Sequence, residues 1–411
     1  MTQAPMLDSE FFAQLLPFNP FDPAFIVSPY PAYRRVREQG RLVRTPAGLW
    51  VVSGYELCAA VLRDSRFGWG DGAAVADHFS TAPDGSIVRP FIFSDPPEHT
   101  AIRRLVSKAF AARRVDQLRP TAQRLAAGLI AAAREQADDA PVDLMSAVAH
   151  PLPGQLLREL LGVPDEHEAR FRVLTADIAR GLDPSLFLTP DEIAKRDSAR
   201  AELGEVFTEL AERRRSEPGD DLISQLLAVE DEGHRLTMHE LQVTCTLLLA
   251  AGYATTHGLI ANGMLALLQR PAQRDWLRAN PDRVEDAVEE MLRFDAPVQM
   301  IARTALTEVT LDDHVIQPGE QVMLLIGAAN RDPAVFEDPD ELLLSRENPR
   351  NLGFGLGIHF CLGAPLARLT AQAAVAELAA LDIELATSTP PRVPNIIMRS
   401  LAELPVHIAG R

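Results

Sequence analysis

One cysteine, Cys361, lies where three glycines, two phenylalanines and a histidine crowd together, in Phe354-Gly355-Leu356-Gly357-Ile358-His359-Phe360-Cys361-Leu362-Gly363. A turn this rich in glycine can bring several backbone N–H groups close to one sulfur, because glycine tolerates unusual backbone angles and close approach. A helical pattern follows at once. N–H groups aimed at sulfur and the start of a helix both favour thiolate over thiol. A single stabilised thiolate is a soft, electron-rich ligand, and haem iron is the metal that uses one cysteine in this way. The competing reading, a structural cysteine in a glycine turn, must account for six spaced positions by chance.

The other cysteines narrow the chemistry. Only Cys58, Cys245 and Cys361 occur, with no Cys-x-x-Cys and no Cys-x-x-Cys-His. That set argues against zinc ribbons, thioredoxin chemistry, covalent haem attachment and a disulfide framework, and suits a reducing compartment. A hydrolase pairing Cys361 with His359 is a poor alternative. Residues two apart in a tight loop rarely present thiol and base to one another, and no orienting group accompanies them.

Composition supports a large globular protein. The chain has 411 residues, 47% of them hydrophobic, and a net charge of −17. That acidity opposes nonspecific nucleic-acid binding. No run of eighteen apolar residues is present, so no transmembrane helix or membrane anchor is expected. The start, Met1-Thr2-Gln3-Ala4-Pro5-Met6-Leu7-Asp8, lacks the basic and apolar stretches of a signal peptide, so a soluble, cytoplasmic, bacterial protein is expected.

The elements that must position the cysteine are mostly helical. Helical patterns dominate from Asp95 to Phe294, with strand-like alternation near both ends. Leu42 to Ser53 predicts a hairpin across Pro46-Ala47-Gly48, and Val309 to Leu325 another across Asp312-Asp313 with a later turn at Ile316-Gln317-Pro318-Gly319. Thr237 and Glu240 form a capping box for a helix running to about Gln269, where Pro271 stops it. Such a helix is roughly 45–50 Å long. Its centre, Leu247 to Gly252, is apolar all round and therefore buried. Thr255 is placed to bond the Ala251 carbonyl four residues back and so loosen the ladder, making room for water or a diatomic ligand. Asn280-Pro281 predicts another helix start, leading to Glu290 and Arg293, three apart on one face. Helices in the middle with small sheets at the edges read as one interwoven domain.

Five landmarks follow in order: Asp95-Pro96-Pro97-Glu98-His99-Thr100-Ala101-Ile102-Arg103-Arg104, Ala251-Gly252-Tyr253-Ala254-Thr255-Thr256, Glu290-Met291-Leu292-Arg293, Ala329-Asn330-Arg331-Asp332-Pro333, and the cysteine loop. In order and separation, over essentially the whole chain, they resemble the soluble bacterial members of the cytochrome P450 superfamily. The resemblance implies a mainly α fold with small β-sheets (α+β), a single domain over residues 1–411 and a long central helix over haem b. It makes Cys361 the axial iron ligand and Phe354 the ring beside its sulfur. It gives His99, Arg103, Arg303 and His359 to the two haem propionates, anions that need charged or hydrogen-bonding partners when buried. Ala251 and Gly363 would also adjoin the haem, and Glu290 and Arg293 would be a buried structural pair.

The resemblance further implies a monooxygenase that uses O2 and two electrons from a ferredoxin and ferredoxin reductase. The substrate would be a lipophilic small molecule of secondary metabolism, oxidised by C–H hydroxylation or epoxidation. Substrate contacts would come from Gly68 to Phe91, Phe171 to Leu188, Ala250, Val298, Gln299 and Met300. Arg104, Lys108, Arg113 and Arg114 would form a basic face for the electron donor, although an ordinary solvated face explains them equally well. Two departures stand out. Many relatives have an acidic residue where Ala254 precedes Thr255, so protons would have to come through ordered water, a substrate group, Tyr253 or His257. Relatives often have arginine where Glu341 stands, which leaves Arg346 and Arg350 as rivals to complete the Glu290–Arg293 cluster. Loss of the acid keeps two alternatives open: desaturation or cyclisation, and a non-enzymatic haem-thiolate ligand or gas sensor.

Overall fold

The computed structural model describes residues 12, 14–70, 80–81, 85, 87–110, 112–136, 140–164, 168–181 and 183–409. Helices predominate and the strands are short. The chain divides into two compact units. Of the described residues, one holds Gly68–Leu118 and Gly154–Ala254; the other holds those up to Phe67, Arg119–Pro153 and the chain from Thr255 onward.

In the first unit, the helices Glu168–Arg180 and Pro190–Ser216 pack side by side, and Leu222–Ala228 lies against Glu98–Ala109. Thr189 begins the long second helix with a full capping box: its hydroxyl accepts the Glu192 N–H while the Glu192 carboxylate accepts the Thr189 N–H.

In the second unit, the strand Gln321–Leu325 lies between Met300–Ala305, antiparallel, and Trp50–Val52, parallel. Leu42–Arg44 pairs with Trp50–Val52 as the expected hairpin. The second expected hairpin also forms, Val309–Leu311 against His314–Ile316. Its turn residues Asp312 and Asp313 both have positive φ, 47° and 65°, as a two-residue hairpin requires. Alternate strand residues Val322 and Leu324 are buried with Val52, Ile316 and Leu352 in the core beneath.

The long helix spans Met238–Leu268, and Thr237 and Glu240 cap it reciprocally. It is long and apolar enough by composition to cross a membrane, and more than half of its most apolar stretch is buried inside the protein. A core helix passes that test too. The α-helical pattern is unbroken through Ala251–Thr256, so the expected loosening at Thr255 does not interrupt it. Asn280 and Pro281 open the next helical segment as expected, but its first turn, Pro281–Arg283, is 3-10 and the α-helix proper begins at Val284. The Asn280 side chain makes no capping bond; its amide nitrogen donates back to the Trp276 carbonyl at 2.8 Å.

Candidate active site

Gly357 has φ +71°, and a Cβ there would lie 2.4 Å from the Leu62 carbonyl, so backbone angle and space both demand glycine. This close approach seats the turn Gly357–His359 against the end of the Tyr55–Arg63 helix. The chain then reverses. The Cys361 N–H donates to the Phe354 carbonyl at 2.9 Å, closing the loop on itself. Helix Ala364–Ala380 starts three residues later with Gly363 at its N-cap and no side-chain cap. The Ala364 N–H donates to the Cys361 carbonyl at 3.4 Å, and a Cβ on Gly363 would lie 4.0 Å from the Cys361 sulfur, so the sulfur sits beside the start of this helix.

The three cysteines now separate by chemistry. Cys58 and Cys245 are fully buried, and burial pushes both thiols far up, so they stay protonated. Cys361 is half-buried beside a helix N-terminus, where a thiolate is favoured. This donor fits a haem iron, and the other two do not.

Phe354 is held in a way that the sequence did not reveal. The Arg368 guanidinium sits 4.5 Å from the Phe354 ring centroid. It also makes two bonds to the Glu289 carboxylate, at 2.6 and 3.1 Å. Asn351 donates to the same carboxylate at 3.2 Å and accepts the Gly353 N–H at 2.9 Å. Arg368 lies in the second turn of helix Ala364–Ala380 and Glu289 on helix Val284–Phe294, so the contact joins elements far apart in sequence.

Other predicted residues take definite places. In the first unit, His99 is buried in the opening turn of Glu98–Ala109, with Arg103 one turn further on, 6.0 Å from the Phe91 ring centroid. Asp95 accepts the N–H groups of Trp69 and Gly70 at 2.8–3.0 Å, so this landmark anchors the preceding segment. Ala250 and Ala254 are buried, and Ala251 is half-buried. Much of the expected contact region from Gly68 to Phe91 lies outside the described residues; Phe171, Phe187 and Leu188 of the other are buried. In the second unit, Arg303 is buried on its strand opposite Val322. His359 and Thr255 are half-buried. Val298 bridges to Met398, and Gln299 and Met300 are buried.

The basic face is less free than its sequence suggests. Lys108 pairs with Asp231 at 2.5 Å, and Arg104 lies 4.0 Å from Asp231 and 3.9 Å from Glu232. Arg114 donates to the Asp220 carbonyl, and Arg113 has its backbone in helix Ala112–Gln117.

Two possible proton relays near Ala254 hold their charge states firmly. Burial pushes the Tyr253 phenol up to about 12, against a smaller opposite pull from Arg172. Burial, with a lesser contribution from His150, pushes His257 down to about 3. The His257 ring lies 4.4 Å from the His150 ring, tilted by 53°, and shares a 3.2 Å hydrogen bond with the Ser400 hydroxyl. A neutral phenol and a neutral, enclosed imidazole make weak acids at neutral pH. The same shift predicts acid lability. The unfolded chain binds a proton at His257 below pH about 6.5 while the folded chain resists until about 3, so stability should fall as pH drops through that window. The full effect is on the order of 5 kcal/mol. Thermal unfolding of His257→Gln should show a flatter pH dependence from 6.5 downward; an unchanged slope would remove His257 from the account.

The Glu290–Arg293 pair is fully buried, with Arg293 Nε 2.7 Å from Glu290 Oε2. Arg346 completes it, its Nε 3.2 Å from the same oxygen, while Arg350 is exposed. Glu341, at the place where relatives often carry arginine, contributes only its backbone carbonyl to Arg293, at 2.8 Å. Asn330 links this cluster onward: its carbonyl accepts from Arg293 and its side-chain oxygen accepts the Leu352 N–H, two residues before Phe354.

A mainly helical fold with a thiolate-favouring loop in front of a helix, fitted for one iron ligand, defines a haem-thiolate protein. The family model for cytochrome P450 matches residues 41–393, and the chain belongs to that family. It is 40% identical over 395 residues to the cytochrome P450 monooxygenase PikC of Streptomyces venezuelae, covering 93% of this chain and 92% of that one. It is 39% identical over 398 residues to the nocardicin C N-oxygenase of Nocardia uniformis subsp. tsuyamanensis, covering 94% and 97%. Among solved structures, the cytochrome P450 PksS of the Bacillus subtilis 168 bacillaene polyketide synthase superposes with TM-score 0.85 at 32% identity, covering 95% and 100%. The fold is therefore the cytochrome P450 fold, the cofactor is haem b and the enzyme is an oxygen-incorporating oxidoreductase.

Proposed function

We propose that this chain is a single functional domain that hydroxylates or epoxidises a lipophilic small molecule of secondary metabolism. Cys361 would be the iron ligand. His99, Arg103, Arg303 and His359 would hold the propionates, with Ala251, Phe354 and Gly363 beside the ring. Bound haem supplies oxygen activation with strong electron donation from sulfur. The protein supplies position and dry surroundings. The observation that carries this reading is the half-buried sulfur set in a glycine-built turn at a helix N-terminus. Relatives named for polyketide and nocardicin oxidation support a secondary metabolite, and favour turnover over gas sensing. Val298, Met300 and Ala250 are offered as substrate contacts. A substrate-library titration of the ferric protein, read as a spin-state change, tests the class: apolar secondary metabolites should shift the spectrum, and a shift with none of them would overturn it.

With Ala254 beside Thr255, and with burial disfavouring the charged forms of Tyr253 and His257, ordered water or a substrate group is taken as the proton source. Ala254→Asp should then raise product formed per electron consumed, with oxygen activation faster by at least about tenfold, short of the 10²–10⁴ a fully positioned acid supplies. No change in that ratio would mean that protons are not limiting.

Electrons are proposed to come from a ferredoxin and its reductase through the face that carries Arg104, Lys108, Arg113 and Arg114. Asp231 and Glu232 already occupy two of these cations. Reversing Arg104 and Lys108 to glutamate should slow reduction by an acidic donor about tenfold at low salt without altering substrate binding. Asp231→Asn should speed it. Equal rates in both variants would move docking elsewhere.

A further inference from the structure

We infer that the second unit contains a built site for one ordered water, held by Tyr33, Gln299 and Asn395. The expectation for Gln299 was a substrate contact. Its side chain is 3% exposed and turns into a cavity of about 20 Å³ whose walls include Phe25, Tyr33, Asn395, Met398 and Arg399. The Gln299 amide nitrogen donates to the Ala296 carbonyl at 2.7 Å, which fixes the orientation of the group and turns Oε1 the other way. Oε1 has no protein hydrogen-bond partner among the described residues, and neither have the Tyr33 hydroxyl and the Asn395 Oδ1. Tyr33 is 1% exposed. Buried polar atoms are rarely left unpaired, and three on one cavity point to a shared occupant.

Gly327 brings the Gln299 amide oxygen and the edge of the Tyr33 ring beside one backbone atom. A Cβ there would lie 2.1 Å from Gln299 Oε1 and 3.0 Å from Tyr33 Cε2. Both side chains therefore close over the same bare backbone atom, and any other residue at 327 would push them apart.

The chemistry of the walls selects the occupant. Gln299 Oε1 and Asn395 Oδ1 can only accept, so the occupant must donate twice. The Tyr33 phenol is held protonated by its burial and donates in return. An anion has no donors to offer the two amides. A cation would face the guanidinium groups of Arg392 and Arg399 on the same cavity. Those groups are already occupied: Arg399 bonds Asp295, the Ile26 carbonyl and the Val27 carbonyl, and Arg392 bonds Asn262 and Asp295. Water donates two protons and accepts one, which matches the three free valences. The volume suits it as well, since a single water needs roughly 10–15 Å³ on this measure.

The site has a structural consequence. The Gln299 N–H donates to the Ile397 carbonyl at 2.9 Å, and its carbonyl accepts the Gly327 N–H at 3.1 Å. A water joining the side chains of Gln299 and Asn395 would add a third tie across the same strap, which carries Val298 and Met300. Any effect on selectivity rests on the substrate reading above; the water site itself does not.

A crystal structure of the haem-loaded wild type, with Tyr33→Phe and Gln299→Met beside it, decides the matter. In the wild type one water should lie about 2.7–3.2 Å from all three oxygens. Tyr33→Phe should keep it on the two amides, with the melting temperature lower by about 1–2 °C. Gln299→Met should expel it. The inference fails if the wild type shows the Tyr33 hydroxyl bonded directly to Gln299 or Asn395 with no water, or if a larger molecule fills the cavity. Tyr33→Phe removes one oxygen and no bulk, so it keeps the test open should Gln299→Met not fold. None of these readouts depends on turnover, so a wrong substrate assignment and a wrong water site would be told apart.

Discussion

Cys361→Ala should abolish the red-shifted Soret band of the reduced carbon monoxide complex and reduce product formation to background. Cys58→Ala and Cys245→Ala should keep both. The argument is one of thiol chemistry. Burial holds the Cys58 and Cys245 thiols protonated, and the Cys58 sulfur is turned to the Val52 carbonyl at 3.6 Å. Of the three, only Cys361 is partly exposed, just before the N-terminus of the Ala364–Ala380 helix. The spectrum reports the sulfur–iron bond and not merely the presence of haem, so it separates loss of ligation from loss of cofactor. Cys361→His should retain bound haem while losing the thiolate band, because imidazole is also an axial ligand. Helix content should change little in Cys361→Ala, since Cys361 lies in a loop and not inside a helix or strand. A thiolate band persisting in Cys361→Ala would remove the assignment on which the proposed function stands.

The cysteine loop could be read from the chain because its geometry is local. Glycine at positive φ, a helix start and a cysteine are all signals within ten residues, and Gly355 and Gly357 do take φ of 66° and 71°. The hairpins at Leu42 and Val309 were legible for the same reason, as was the Thr237–Glu240 box. What stayed hidden depends on partners distant in sequence. Glu290 could be seen to share a face with Arg293, but its choice of Arg346 over Arg350 depends on where the 338–346 segment folds back. The Arg368 contact with Phe354 spans two elements, and no periodicity announces it. Asn280 and Pro281 marked a helix start correctly, but not that its first turn would be 3-10 or that the Asn280 amide nitrogen would bond back to Trp276. The basic face was legible only in part: a run of cations is visible in sequence, but Asp231 and Glu232, which pair with Arg104 and Lys108, lie more than a hundred residues downstream. Asp295 shows the same limit. Desolvation raises its pKa, yet Arg399, Arg392 and the Tyr30 hydroxyl outweigh it and hold the carboxyl down to about 2. Nothing within ten residues of Asp295 predicts those arginines.

Glu290→Gln should be the most damaging single change outside the cysteine loop. Both partners of the ion pair are 0% exposed, and Arg293 spends its guanidinium on five acceptors: both Glu290 oxygens and the carbonyls of Asn330, Pro339 and Glu341. Removing the carboxylate charge strands Arg293 without a counter-ion in the core and takes a partner from Arg346. Breaking a buried pair in this way costs about 3–5 kcal/mol, a large part of the roughly 5–15 kcal/mol that holds most folded proteins together. Arg293→Lys should cost nearly as much, because a compact ammonium has three donors and cannot reproduce the fork. Arg346→Lys should cost less, since its side chain is 13% exposed and can reach water. The effect should also travel to the cysteine. Arg293 donates to the Asn330 carbonyl, Asn330 holds the Leu352 N–H, and the Phe354 carbonyl receives the Cys361 N–H. Denaturant titration followed at two wavelengths distinguishes the steps: the thiolate band of Glu290→Gln should be lost at lower denaturant than its helical signal, whereas in the wild type the two should fall closer together. If Glu290→Gln unfolds at the wild-type midpoint with its thiolate band intact, the buried cluster neither stabilises this protein nor supports the loop.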